Sequence, residues 1–279
     1  MIKACLVLFM LACSAQGLGA DLRIEEVEFV SHGTKLSGSI VFPAGEIRAA
    51  VVFIHGSGKQ TRNLSLAERF AKDGIAALVY DKRGAGKSGG EYEGNQSVSE
   101  KNILLLADDA ASALRALSAH PALKEVTIGL TGISQAGWIA PLAAQRSGRA
   151  KFLVLWSGPV CKVSEEDIYS KYTGDSNSGP APPYAEALRA RTEKYIWPDF
   201  LGRDTDAGED IQKLSIPGLW IFSDNDPSIP VDLSIDKLRT LRKDGHRYDF
   251  VLFSGLGHNN MEQTFSVATE WIRRASLPN

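Results

Sequence analysis

The chain has 279 residues, of which 44% are hydrophobic and 23% charged, and its formal net charge is −2. This is ordinary globular usage, so wholesale disorder, a collagen-like glycine period and a solenoid repeat are excluded. A charge so near zero gives no electrostatic reason to expect nucleic acid or an anionic membrane as partner.

The first twenty residues read as a signal peptide rather than as part of the fold. Met1-Ile2-Lys3 is a short basic start, Ala4–Cys13 is an unbroken apolar run, and Ser14–Ala20 is small and polar. That order is the one a secretory signal requires, with cleavage expected after Gly17 or Ala20. A run of ten apolar residues is too short to cross ~30 Å of hydrocarbon as a helix. The expectation is an exported protein, periplasmic or secreted, with lipidation at Cys13 as the less favoured alternative. Cys5 and Cys13 leave with the signal. Cys161 then stands alone and reads as a small buried hydrophobe, so the fold must rest on its own core rather than on a disulfide. That pattern fits a bacterial periplasm better than a eukaryotic secretory route.

From Asp21 onward, strand-like runs alternate with helical periods. Glu26–Ser31 and Lys35–Phe42 alternate apolar and polar residues, as a half-exposed antiparallel pair would. Ala49–His55, Ile75–Asp81, Val126–Ser134, Phe152–Ser157 and Gly218–Ser223 are continuous apolar runs, the pattern of parallel strands covered on both faces. Arg247–Ser254 is a shorter last candidate. Between them lie helical patterns: Leu64–Lys72 stopped by Gly74, Trp138–Gln145, Val231–Lys243 stopped by Gly245, and Met261–Arg274. Ser97-Val98-Ser99-Glu100 matches a capping box, followed by Ile103, Leu106, Ala110, Leu114 and Leu117 on one face. This alternation predicts an α/β sheet in a single domain over residues 21–279. Residues 161–215 break the rhythm, with no clear strand, two proline clusters and four of the seven tyrosines. They read as an inserted lid in which residues 182–196 form an amphipathic helix.

The strongest chemical signal is Gly132-Ile133-Ser134-Gln135-Ala136-Gly137, placed between a buried strand and a helix. A nucleophilic serine on a strand-to-helix turn needs small residues two positions before and after it, because the backbone there is crowded. Ser134 is the expected nucleophile, and a serine that merely caps the helix is the alternative. An earlier strand runs into His55-Gly56-Ser57-Gly58, where backbone N–H groups can converge with that of Gln135 on a tetrahedral oxyanion. Of five histidines, only His55 and His258 follow strands, on the side of the sheet where ligands gather. His258 comes late in the chain, where the serine–acid–histidine order puts the base, whereas His55 is better placed to shape its turn. The acid should follow Gly218–Ser223, and there Asp224 and Asp226 both qualify on position.

Taken together these residues resemble the α/β-hydrolases, in the branch of serine esterases that includes dienelactone-hydrolase-like and serine-aminopeptidase-like members. The resemblance runs along nearly the whole mature chain. Val52–Gly58 is similar to the family's oxyanion turn, Asp81-Lys82-Arg83-Gly84-Ala85-Gly86-Lys87-Ser88 to its D-x-R-G-x-G-x-S loop, Gly132–Gly137 to its elbow and Gly257-His258 to its histidine loop. The family's acid pattern G-x-x-D-x-x-V-P, laid on Ser223–Pro230, selects Asp226. The chain departs from the family with Ala136 and Ser223, each where glycine is usual. The resemblance implies a mostly parallel central sheet flanked by helices, with Ser134, Asp226 and His258 as catalytic residues. It also implies an oxyanion hole from the N–H groups of Ser57 and Gln135.

Gly84-Ala85-Gly86-Lys87-Ser88-Gly89 also matches a dinucleotide fingerprint, but no helix pattern opens at its third glycine. Neither a cofactor nor a metal is expected. The expected activity is hydrolysis of a soluble, small to medium carboxylic ester through an acyl-enzyme. Alternatives are a peptidase, an acyltransferase, or a binding protein on the same fold. Tyr169, Tyr172, Tyr184, Tyr195, Trp197 and Phe200 either line the substrate pocket or pack the lid onto the core.

Overall fold

Arg23–Ser31 (β1) and Thr34–Phe42 (β2) pair antiparallel, and the two residues joining them, His32 and Gly33, take positive φ of 48° and 71°. That is the backbone of a two-residue primed turn, in which glycine meets the second position without steric cost. The computed structural model describes residues 22–94, 98–176 and 179–277. The expected export signal, residues 1–20, lies outside them.

The apolar runs form parallel strands: Ala49–Ile54 (β3), Ile75–Tyr80 (β4), Ile128–Ile133 (β5), Leu153–Trp156 (β6), Gly218–Ser223 (β7) and Tyr248–Phe253 (β8). With the hairpin they build one eight-stranded sheet in the order β1-β2-β4-β3-β5-β6-β7-β8, antiparallel only where β2 meets β1 and β4. The strands β3, β4, β6 and β7 are buried along their whole length, as strands covered on both faces must be.

Side chains alternate between the two covering layers. Ala50, Val52 and Ile54 face a core shared with Glu100–Ala119 (α2), Ala136–Ser147 (α3) and Val231–Lys243 (α7). Ala49, Val51 and Phe53 face Leu64–Lys72 (α1) and Met261–Ala275 (α8) on the other side. Leu155 has no solvent exposure in the first of these cores, and its truncation to alanine is expected to cost ~2–5 kcal/mol. Ser97, which opens the expected capping box, lies outside the described residues; α2 is capped by Ser99, whose hydroxyl accepts the Asn102 N–H at 3.2 Å.

Among the described residues between β6 and β7 there are three short α-helices, Val163–Thr173 (α4), Tyr184–Ala190 (α5) and Ala207–Gln212 (α6). The amphipathic helix expected over residues 182–196 is therefore only seven residues long. The last of these helices packs on α3 and α7 and sends Ala207 and Ile211 into the main core. In contrast, α4 and α5 bury Ile168, Tyr169, Tyr184 and Ala187 in a small cluster of their own. Among the described residues no helix is long and apolar enough to cross a membrane.

Candidate active site

The chain leaves β5 at Ile133 and enters α3 at Ala136, so it reverses direction within two residues. Ser134 takes φ +56°, in the left-handed region, which costs a non-glycine residue ~1–2 kcal/mol. The turn is held by the Ser134 N–H donating to Trp156 O at 3.0 Å and the Gly137 N–H donating to Ser134 O at 2.8 Å. A Cβ at Gly132 would stand 2.5 Å from both the Ala136 Cβ and the Ile54 carbonyl oxygen. Ala136 is therefore accommodated because residue 132 has no side chain. A Cβ at Gly137 would likewise lie 2.5 Å from Pro159 Cδ. Crowding between residues 132 and 136 is what the sequence pattern led one to expect; the close approach at Gly137 adds to it.

After β7, Asp226 is wholly buried, and both its oxygens lie within hydrogen-bond distance of His258 Nδ1, at 2.9 and 2.8 Å. Its Oδ1 also accepts the Ser228 and Ile229 N–H groups at 2.9 and 3.2 Å. An Nδ1–H donated to this carboxylate leaves Nε2 as the acceptor of the ring. Asp224 faces elsewhere: it accepts the Ser254 hydroxyl at 2.8 Å and the Gly255 N–H at 2.7 Å, tying the two loops together. Of the two aspartates that spacing left open, Asp226 is the one that bonds His258.

The oxyanion turn abuts the serine. A Cβ at Gly56 would lie 3.4 Å from Ser134 Cβ. His55 turns away, donating from Nε2 to Tyr80 O at 2.6 Å; burial pushes its pKa down, so the ring is neutral. Ser134 and His258 line one cavity of about 500 Å³, together with Gly56 and Ser57. Phe53, Leu66, Ile133 and Met261 give it apolar wall; Gln60, Thr61 and Asn63 give neutral polar wall. No Asp, Glu, Lys or Arg lines it among the described residues. None of the six aromatics of the 161–215 segment lines it either. Tyr169 and Tyr184 pack inside the segment and Trp197 rests against the main core, so the packing alternative holds for these three.

The sequence profile of the serine aminopeptidase (S33) family matches residues 45–181, which take in the oxyanion turn, the D-x-R-G loop and the elbow. A polyketide transferase, claH of Penicillium crustosum, is 34% identical over 151 residues, which are 52% of this chain and 47% of that protein. The chain thus matches about half the length of this curated relative. The α/β-hydrolase GrgF from Penicillium sp. sh18 superposes with a TM-score of 0.64 at 20% identity, over 91% of this chain and 99% of that one. The esterase Pf2001 of Pyrococcus furiosus does so with 0.62 at 20% identity, over 91% and 88%. At such identity the superpositions speak for the fold. The chain has the α/β-hydrolase fold.

In this fold the D-x-R-G loop is a clamp rather than a phosphate cradle. Burial alone would raise the pKa of Asp81, but hydrogen bonds from the Arg62 guanidinium and from the Arg62 and Lys87 N–H groups bring it down to about 2. Arg83 forms a buried ion pair with Asp109. The Ser88 hydroxyl donates to Asp81 O at 2.6 Å and accepts the Ser37 N–H at 3.0 Å. A Cβ at Gly86 would fall 2.5 Å from the Asp81 carboxylate. The glycines of the supposed dinucleotide string thus serve a loop folded onto its own aspartate, and the next helix, α2, starts only at Glu100.

Sequence reasoning missed the groups that hold the histidine loop. The Ser157 hydroxyl donates to His258 O at 2.7 Å and itself accepts from Asn260 Nδ2 at 3.2 Å. Ser157 follows β6 directly and has φ +44°. Its only sequence signal was a polar residue closing an apolar run at the carboxyl end of a strand. Cys161 is fully buried, and burial pushes its thiol pKa well up, as an inert packing residue requires.

Proposed function

We propose that this protein is an α/β-hydrolase that cleaves carboxylic esters of small to medium soluble substrates through an acyl-enzyme. His258 Nε2 takes the proton of the Ser134 hydroxyl as Oγ attacks the ester carbonyl. The N–H groups of Ser57 and Gln135 hold the resulting oxyanion, each contributing ~3–4 kcal/mol to the transition state. The alcohol leaves with the proton from His258. Water, deprotonated by the same histidine, then frees the acid and restores Ser134. Asp226 fixes the histidine tautomer and stabilises the imidazolium.

The observation that carries this reading is the single cavity with Ser134 and His258 on its wall and Asp226 bonded behind His258. The charge of the wall favours an ester over an aminopeptide. The ammonium of an aminopeptidase substrate would enter a site lined by no carboxylate among the described residues, and an unpaired charge in such a place is costly. Acyl transfer is the second reading, favoured by the relative named as a polyketide transferase; there an alcohol or amine replaces water in the second step. Residues 1–20 support export, so the reaction is proposed for the periplasm or the exterior.

Turnover of aryl esters, thioesters and aminoacyl amides across acyl lengths tests the proposal, with and without added alcohol. Ester hydrolysis outrunning amide hydrolysis is expected. Faster aminoacyl amide cleavage would move the chain to the peptidases, and product captured by alcohol in preference to water would make it a transferase.

A further inference from the structure

Behind the oxyanion turn lies a lysine that the proposed mechanism leaves unused. Lys82 is 2% exposed, yet its chain neighbours do not neutralise it: Asp81 is held by Arg62, and Arg83 by Asp109. Its ammonium instead donates to the Gly56 carbonyl at 2.8 Å and to Gln135 Oε1 at 2.9 Å. These two uncharged acceptors belong to the two segments that supply the oxyanion donors.

The geometry has a direct consequence. A trans peptide is planar, so the Gly56 carbonyl and the Ser57 N–H point in opposite directions. Drawing the carbonyl onto Lys82 turns the Ser57 N–H the other way, and Gly56 and Ser57 border the cavity that Ser134 lines. The same ammonium fastens the side chain of Gln135, whose N–H is the second donor, at the first turn of α3. Without it the Gly56–Ser57 peptide can rotate and present its carbonyl to the oxyanion.

We propose that Lys82 is a positioning residue that pre-organises the oxyanion hole, fixing the Gly56–Ser57 peptide and Gln135 and placing a positive charge behind the developing oxyanion. The proposal rests on Ser134 being the nucleophile. A charge held out of water acts more strongly than one in solvent, and preorganised donors need no rearrangement during reaction. Burial brings the pKa of Lys82 down to about 8, so its charge is lost within an accessible range. The titratable and charged groups around it are neutral His55 from the β3 turn, the Tyr92 ring at 5.7 Å, and the ion-paired Asp81 and Arg83.

The test compares wild-type full-length protein with Lys82→Met and Lys82→Gln, using a short-chain aryl ester and a fluorophosphonate probe. Lys82→Met should lower kcat and the labelling rate about 10- to 100-fold, below the ~10²–10³ of losing a whole oxyanion donor, with KM nearly unchanged. Lys82→Gln, which keeps a donor without the charge, should recover part of the loss. Wild-type protein inert to the probe would overturn the serine-hydrolase reading itself. Labelled wild type with Lys82→Met matching it in kcat and labelling would overturn only the role of Lys82. Should Lys82→Met not fold, the wild-type kcat decides: it should fall as pH passes about 8, and a flat alkaline profile overturns the proposal.

Discussion

His258 Nδ1 lies 2.8 Å from a carboxylate, that of Asp226, which has no contact with solvent. Asp224, two residues earlier, spends both its oxygens on Ser254 and Gly255 instead. The two aspartates therefore differ in what their loss should do. Asp226→Asn keeps the shape but can no longer fix the histidine tautomer, and ester turnover is expected to drop about 10⁴-fold. Asp224→Asn loosens a loop and should cost roughly tenfold or less, with a lower melting temperature. Comparison of kcat for the two variants checks this, and a larger loss at Asp224 would reverse the assignment.

Backbone conformation at the elbow sets activity against stability. Ser134 sits at φ +56°, a conformation that glycine adopts freely and alanine does not. Both Ser134→Ala and Ser134→Gly remove the hydroxyl, but only glycine relieves the backbone. After allowing for the greater freedom of glycine in the unfolded chain, Ser134→Gly should be about 0.5–1 kcal/mol more stable than Ser134→Ala. Urea unfolding of the two inactive variants measures it. Equal midpoints would mean that the turn stores no strain.

Lys82 couples stability to pH with a definite sign. Its pKa falls from 10.5 to about 8 on folding, because burial disfavours the charged form. Between these values the unfolded chain binds the proton and the folded chain does not, so folding becomes more favourable as pH rises through this window. Below about 8 the cost of the buried charge is fully present. Wild type should therefore gain on Lys82→Met by ~3 kcal/mol from neutral to strongly alkaline pH. Unfolding free energies of both proteins at the two ends of the range give the difference directly. A constant difference would show that the ammonium is not desolvated.

The segment between β6 and β7 mixes many charges with four exposed large apolar side chains, Tyr172, Leu188, Ile196 and Phe200, of which the last two are 78% and 73% exposed. Four such side chains among the charges are too few for the broad apolar surface that a lipid interface requires. Ester turnover should saturate with monomeric substrate and show no jump at the micellar threshold. A sharp rise there would make this segment a lipase-like lid.

Strands were legible in the sequence because burial on both faces leaves unbroken apolar runs; β7 and α7 fall where the pattern put them. The elbow was legible because its steric demand is local, between Gly132 and Ala136. What was missed depends on distance along the chain or on competition. Lys82 meets Gly56 and Gln135 across 26 and 53 residues, and no local pattern carries such contacts. At α2 the string Ser97–Glu100 matched a box, yet Ser99 does the capping, because the cap is decided by where the chain enters the helix. In the 161–215 segment the apolar residues of α4 and α5 pack on each other, so their spacing gave no clear period.

The proposed reaction rests on Ser134 as nucleophile, activated by His258 and Asp226. Its most direct test is covalent labelling by a fluorophosphonate, located by mass spectrometry on the intact, folded protein, alongside turnover by Ser134→Ala. Labelling at Ser134 alone is expected, with aryl-ester turnover of the variant reduced by several orders of magnitude, about 10⁶ in a comparable serine hydrolase. Folded wild-type protein that takes up no probe, or a folded Ser134→Ala protein that keeps its turnover, would contradict it.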